Sequence, residues 1–443
     1  MAYIITRRDT LRLAAGAAAA TTLNERAIAQ PIPRADVAAP KLPAESGASL
    51  RVLRPARFVE PDETIFRANT AKFQQATGIE TRVDFVGWED IRQQTAVASN
   101  TGTGPDIVLG WAEDPHVFAD KLIELSDVAE YLGRRYGGWS FLGDKYGKRE
   151  KTNNWIGIPF GGSTGPIVYR RSAVKEAGFD KIPNDHGEYL KLCQTLRKLN
   201  KPPGFALGNA VGDGNGFANW LVWSHGVYLV DEAGKVAINS KETIAALTYL
   251  KDLYPTFVTG TLSWGDPSNN RAYAASEVWL TANGVSLYFA LKNDPALRAI
   301  AEDTEHQALP FGVVGKAPQG SLILNAMVFR HSKYPNAAKA YLQFMMESEQ
   351  YDPWLSGCLG YWSHTLRAYD KSAVWDSDPK LAVYRNGTDN QFWSGYKGPI
   401  SHAAGAVASE YILVQMCASV AGGQATPQEA AREAERRARR HYR

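Results

Sequence analysis

From about residue 50 onward the hydrophobic positions recur with one of two periods, and the period switches repeatedly along the chain. Residues 49–58, SLRVLRPARF, read as a first strand. Residues 63–78 follow with helical spacing: Ile65, Ala68, Ala71 and Phe73 share one side, and Gly78 supplies the stop. Residues 79–88 alternate apolar and polar positions as a second strand, 89–102 return to helical spacing, and 105–111, PDIVLGW, form a short buried strand. Strand, helix, strand, helix, strand predicts a parallel sheet with right-handed crossovers. Residues 151–160 and 165–171 are two more strands, separated by a glycine stretch. The next third is mostly helical (186–199, 216–229, 240–254 and 269–282), followed by a strand at 322–332 and an amphipathic helix after Pro335. The chain closes on TPQEAAREAERRARRHYR, where Thr426 caps a charged helix and Pro427 sits in its first turn.

With 443 residues the chain is too long for one ordinary core, and two domains are the natural expectation. Its apolar and charged fractions, 44% and 21%, are those of a globular protein. The net charge of +3 comes largely from four arginines and two acids in the first 29 residues; the remainder is close to neutral, which gives no footing for nucleic acid or an anionic membrane. Twelve tryptophans and twenty tyrosines are more telling, because each pairs an apolar face with a hydrogen-bonding edge. Cys193, Cys358 and Cys417 include no C-x-x-C, allow at most one disulfide, and read as buried thiols.

The first residues form an address. Arg7-Arg8 precedes a mild Ala-rich stretch from Leu11 to Leu23, and Ala27-Ile28-Ala29 offers small residues at −3 and −1 before Gln30. This is a secretory signal of the twin-arginine (Tat) type, with Thr10 where an aromatic is usual, cleaved after Ala29. No later window suggests a membrane span, so the mature protein is expected to be soluble and periplasmic, with residues 30–49 as a mobile leader.

One motif points elsewhere. Gly161-Gly162-Ser163-Thr164-Gly165 is a literal G-x-S-x-G, the nucleophile elbow of the α/β-hydrolases. An elbow needs a strand, a sharp turn and then a helix. Here GPIVYRR follows, with Pro166, β-branched residues and Tyr169, which favour extended chain. No histidine stands in a supporting motif, so a secreted serine hydrolase using Ser163 is the weaker reading. GDGNG, residues 212–216, lacks the G-K-[ST] of a phosphate loop and reads as a loop capping the helix that starts near Phe217. No metal-ligand spacing occurs, and no cofactor, metal or catalytic role is expected.

The order of FQQATGIETRV, GTGPDIVLG, DKLIELSD, IGIPFGGSTGPIVYRRSAVKEAGFD, ALPFGVVGK and SKYPNAAKAYLQFMMESE resembles the extracellular solute-binding proteins of ABC importers, in family 1 with maltose-binding protein. The resemblance covers roughly residues 50–440. It implies an α/β, two-lobed periplasmic-binding-protein fold of type II, with a ligand cleft between lobes joined by crossover hinge segments. On that pattern, residues 50–162 and 311–360 form the first lobe, and 163–310 and 361–443 the second. Gly161, Gly162 and Pro310 fall at the hinge. The resemblance also implies a monomeric receptor that delivers a small solute to membrane permease subunits.

Ligands of open α/β sheets lie beyond the carboxyl ends of the strands. That rule selects Trp88 and Asp90 after the second strand, Trp111 and Glu113 after the third, and Ser163 and Thr164 at the crossover. Asn219, Trp264, Asp266 and Asn270 come from the second lobe, and Tyr361 and Trp362 from the last crossing. Indoles that stack on C–H faces, beside Asp and Asn that bond a hydroxyl rim, suit a carbohydrate or polyol. A glycerol phosphate, a polyamine or another small polar solute is the alternative for the same fold.

Overall fold

A computed structural model describes residues 31–443, so the expected export signal and its cleavage site lie outside the described residues. From Ile32 onward the chain holds two sheets. The first has strands β1 (Ser49–Pro55), β2 (Glu80–Val86), β3 (Ile107–Gly110), β4 (Ile158–Ser163) and β8 (Leu322–Val328), in the order β2-β1-β3-β8-β4. The second has β5 (Ile167–Arg170), β6 (Leu280–Ala282) and β7 (Thr304–Gln307), in the order β6-β5-β7. β1 runs parallel to β2 and β3, with Val52 opposite both Val83 and Ile107. β8 then enters antiparallel between β3 and β4, so the first sheet is mixed rather than parallel throughout.

Most helices follow the expected pattern, but the one expected over 269–282 ends at Ala274, and Leu280–Ala282 is strand β6. Helix α1 (Glu60–Thr77) buries Phe66 and Phe73, two turns apart on one face, and ends where Gly78, at φ 73°, donates its N–H to Gln74. Between β1 and this helix lies a buried ion pair. One Arg54 nitrogen bonds both Asp62 oxygens at 2.8 and 2.7 Å, while the guanidinium rests 4.4 Å from the Phe66 ring centre. The three-stranded sheet is packed on both faces. Val168 points into the cluster shared with the first sheet, and its neighbours Ile167 and Tyr169 point into a second cluster. That second cluster is closed by helices Ile412–Ala421 and Pro427–His441, the latter opened by a full capping box between Thr426 and Glu429.

Three further features differ from the sequence reading. The segment read as a mobile leader lies against the body: Ile32 is buried, Ala35 N–H bonds Arg135 O at 2.8 Å, and Glu45 accepts the backbone N–H groups of Asn336 and Ala337. Glu45 thereby satisfies orphan donors at the start of helix Pro335–Met346, a role that local sequence cannot reveal. The stretch His402–Ala421 is long and apolar enough to cross a membrane by composition. It is instead two helices, broken at Tyr411 with φ 54°, and more than half buried against the protein. Gly161, Gly162 and Ser163 of the glycine stretch belong to β4, and only Thr164, Gly165 and Pro166 separate it from β5.

Candidate functional site

Between the two sheets lies a cavity of about 150 Å³. Its walls come from the carboxyl ends of the first sheet's strands, from the start of helix Asp213–Ser224, from the turn after β6, and from the segments that link the sheets. This is where the strand-end rule expects a ligand.

Seven of the twelve candidate residues line it: Trp88, Glu113, Ser163, Thr164, Asn219, Asp266 and Tyr361. The Trp88 indole is fixed from several sides. Its N–H bonds Ala56 O at 2.8 Å, Phe58 meets it edge-on at 4.5 Å, and Trp111 lies 4.6 Å behind it. Trp111 is fully buried, and its own N–H bonds Trp88 O at 3.3 Å. It backs the wall without forming it. Trp362 is likewise a support, stacked 6.3 Å from Trp88 and packed against β4.

The other three candidates serve the protein rather than the cavity. Asp90 is exposed at the start of helix Asp90–Thr101. Trp264 turns back onto Gly204. Asn270 donates to Ser286 at 3.1 Å and accepts from Asn283, two residues that do line the cavity.

Sequence reasoning missed Arg92, Asp213 and Asn283. Arg92 follows Asp90 by two positions, and its guanidinium binds Asp114 at 2.6 Å and Glu113 at 2.7 Å. Burial works against this charge, yet the two carboxylates hold it above its ordinary value. Asp114 also accepts the Trp111 N–H at 2.8 Å, so the strand end, the cation and both acids form one closed unit. Asp213 opens its helix, and its Oδ2 is buried with no hydrogen-bond partner. Asp266 caps that helix start, accepting the backbone N–H groups of Val211, Gly212 and Asp213 at 2.9, 2.9 and 2.7 Å. Burial pushes Asp266 up to about 6. Burial, and then the Asp266 charge beside it, pushes Asp213 well above the usual carboxylate range. The signal for Asp213 was GDGNG, expected as a loop before Phe217; only Gly212 precedes the helix, and the other four residues form its first turn, with Asp213 in the cavity lining.

The geometry around Ser163 answers the G-x-S-x-G motif. β4 runs through Ser163 and hands over to β5, another strand, where an elbow needs a helix. No histidine lines the cavity beside it. The glycines answer close packing. A Cβ on Gly161 would lie 2.8 Å from Trp362 Cβ, and one on Gly162 would lie 2.7 Å from Thr388 Cγ2. Gly162 also exchanges two 2.8 Å backbone hydrogen bonds with Ser363. Pro310 lies on the second linking segment, where its carbonyl accepts the Trp220 indole N–H at 3.0 Å.

A model of the bacterial extracellular solute-binding proteins matches residues 68–383. Over 290 residues the chain is 22% identical to YcjN of Escherichia coli (strain K12), whose name makes it an ABC transporter periplasmic-binding protein. The match covers 63% of this chain and 64% of YcjN, so the chain spans just under two thirds of that relative's length. Among solved structures, a sugar transporter from Arthrobacter chlorophenolicus A6 with bound laminaribiose superposes with a TM-score of 0.76 at 14% identity, covering 89% of this chain and 99% of that one. An Agrobacterium radiobacter K84 solute-binding protein in complex with ribitol gives 0.73 at 17% identity, covering 89% and 98%. The GacH receptor of Streptomyces glaucescens, solved unliganded and with acarbose, gives 0.72 at 16% identity, also covering 89% and 98%. These likenesses establish the two-lobed α/β fold.

Proposed function

The chain belongs to the bacterial extracellular solute-binding proteins, and on that premise we propose that it captures a carbohydrate or polyol in the cavity between its sheets and delivers it to the permease of an ABC importer. An extracytoplasmic location accompanies that membership. The Arg7-Arg8 signal would supply Tat export, with cleavage after Ala29.

The observation that carries the reading is the make-up of the cavity. Aromatic faces at Trp88, Phe58 and Tyr361 share the lining with Asp213, Asn219 and Asn283. A sugar ring offers C–H faces to the first group and hydroxyls to the second. The laminaribiose, ribitol and acarbose held by relatives of the same fold fit this class. We assign Trp88, Glu113, Ser163, Thr164, Asn219, Asp266 and Tyr361 to the binding wall, with Arg92, Asp213 and Asn283 added to them. Capture would close the lobes about the linking segments at residues 161–166 and 308–321. Residues 50–162 and 311–360 would move against 163–310 and 361–443, with open and closed states a few kcal/mol apart.

A thermal-shift screen of the protein from Gln30 onward tests the reading, using mono- and disaccharides, pentitols and hexitols, glycerol phosphates, polyamines and amino acids. A ligand at a hundred times its dissociation constant adds about 2.7 kcal/mol, a shift of a few degrees. Hits among sugars or polyols are expected. Hits confined to phosphates or amino acids would overturn the ligand class.

A further inference from the structure

The charges around the cavity do not balance. Among the described residues three carboxylates line it, Glu113, Asp213 and Asp266, against one cation, Arg92. That cation is already engaged by Glu113 and by Asp114 behind it. Among the described residues no lysine and no histidine lines the cavity. Asp266 has three backbone donors, whereas Asp213 Oδ2 is buried with none. Thr164 Oγ1, in the same lining, is also buried and unpartnered. We propose that the captured solute carries a protonated amine, as an amino sugar does, and that Asp213 is the residue that receives it.

The inference rests on the capture reading above and narrows it. Two neighbouring carboxylates in a largely apolar cavity cannot both stay ionised without a counter-charge. In the empty site a proton fills that place, and burial together with the Asp266 charge holds it on Asp213. A neutral sugar leaves it there. An ammonium group displaces it to solvent, pairs with both carboxylates, and gains charge-assisted hydrogen bonds. The groups that face the pair are consistent with this. Glu89 adds further negative charge near Asp266, while Arg92 is spent on its own partners. Burial, and then the charges of Asp62, Asp266 and Asp213, disfavour ionisation of Tyr361. The aromatic faces of Trp88 and Tyr361 attract a cation as readily as they stack a ring. An anionic solute, by contrast, would enter against all three carboxylates.

The test is calorimetric titration with matched pairs in slightly acidic buffer: glucosamine against glucose, galactosamine against galactose, mannosamine against mannose, and the glucosamine disaccharide of chitosan against cellobiose. For a pair that binds, the amine should bind roughly tenfold tighter or more. Its binding should release a proton, read as an enthalpy that changes with the buffer's ionisation heat. In Asp213→Asn the two members should approach parity. Because Asp213 Oδ2 has no hydrogen-bond partner among the described residues and asparagine keeps the side chain's shape beside Asn269, this variant should keep the wild-type circular dichroism spectrum. Should it not fold, the wild-type ratio decides alone. Equal affinity, or a preference for the neutral member, overturns this inference and leaves the capture reading standing. No binding by any member of any pair overturns the sugar reading, and this inference with it.

Discussion

On the first-sheet wall of the cavity Arg92 holds Glu113 and Asp114, and Trp88 is boxed by Phe58, Trp111 and Trp362. Across from it, the start of helix Asp213–Ser224 presents Asp213 with a buried oxygen that bonds nothing. One wall has its charges paired and its rings locked. The other keeps a carboxyl group at a helix start that the protein leaves without a partner. A ligand can add only apolar contact and a few hydrogen bonds to the first, because its polar groups are satisfied already. It can supply the second with what the fold leaves out. Stacking surface and polar selectivity are therefore divided between the two walls, which suits a receptor that must bring them together to hold a solute.

The largest expected effect comes from breaking the rigid wall. Trp88→Ala removes a nearly buried indole that touches three other aromatic rings. The protein should lose about 3–5 kcal/mol in denaturant unfolding, and sugar binding with it. A loss under about 1 kcal/mol would mean that these rings do not pack as a unit.

The opposite wall should respond through pH rather than packing. Asp213 and Asp266 hold their protons in the folded protein at pH values where the unfolded chain, with aspartate near 3.9, has released them. The folded state therefore binds more protons through this window, and stability falls as pH rises from about 4 past about 6. Buried His116 and His364, each pushed down to about 4 by burial, act in the other direction, their contribution being lost as pH falls from the unfolded histidine value. Wild type and Asp213→Asn share those histidines, so the difference between the two curves isolates the aspartate. The variant should gain on wild type steadily toward neutral pH in unliganded unfolding. Parallel curves would mean that Asp213 is ionised and compensated.

The two walls were also unequally legible. Trp88 and Glu113 could be found because β2 and β3 alternate or run apolar and end at recognisable points, and strand ends face ligands. The same rule could not separate Trp88 from Trp111. Both end strands, and only packing decides which indole fronts the cavity and which stands behind it. On the other wall the sequence pattern was helical and gave no direction. Trp264 and Asp266 are two residues apart, yet the turn sends one back onto Gly204 and the other under a helix start. The sequence reads Asp213 as part of a capping loop, but it is the first residue of the helix itself, and Asp266 makes the cap. That its carboxylate also enters the cavity depends on where the helix sits against the first sheet, a long-range fact with no local signature. Glu45 is another such case, since its partners lie almost three hundred residues away.

The smallest expected effect is at the seam between the walls. Ser163 lies at the end of β4, lines the cavity, and sits against Gly284, where a Cβ would come within 2.7 Å of its Oγ. Ser163→Ala should change stability by no more than about 0.5 kcal/mol. As one hydroxyl in the binding wall it should cost about 0.5–1.5 kcal/mol of affinity, roughly two- to tenfold. A serine nucleophile behaves otherwise: its removal abolishes turnover by factors of about a million while leaving the ground-state complex largely intact. Calorimetric titration, with chromatography of the recovered ligand, separates the two. Intact ligand from both proteins with a modest loss of affinity is the receptor's signature. Cleaved ligand from wild type and intact ligand from the variant would mean that β4 and β5, although joined strand to strand, still present a working nucleophile, and that the division of labour between the two walls serves chemistry rather than capture.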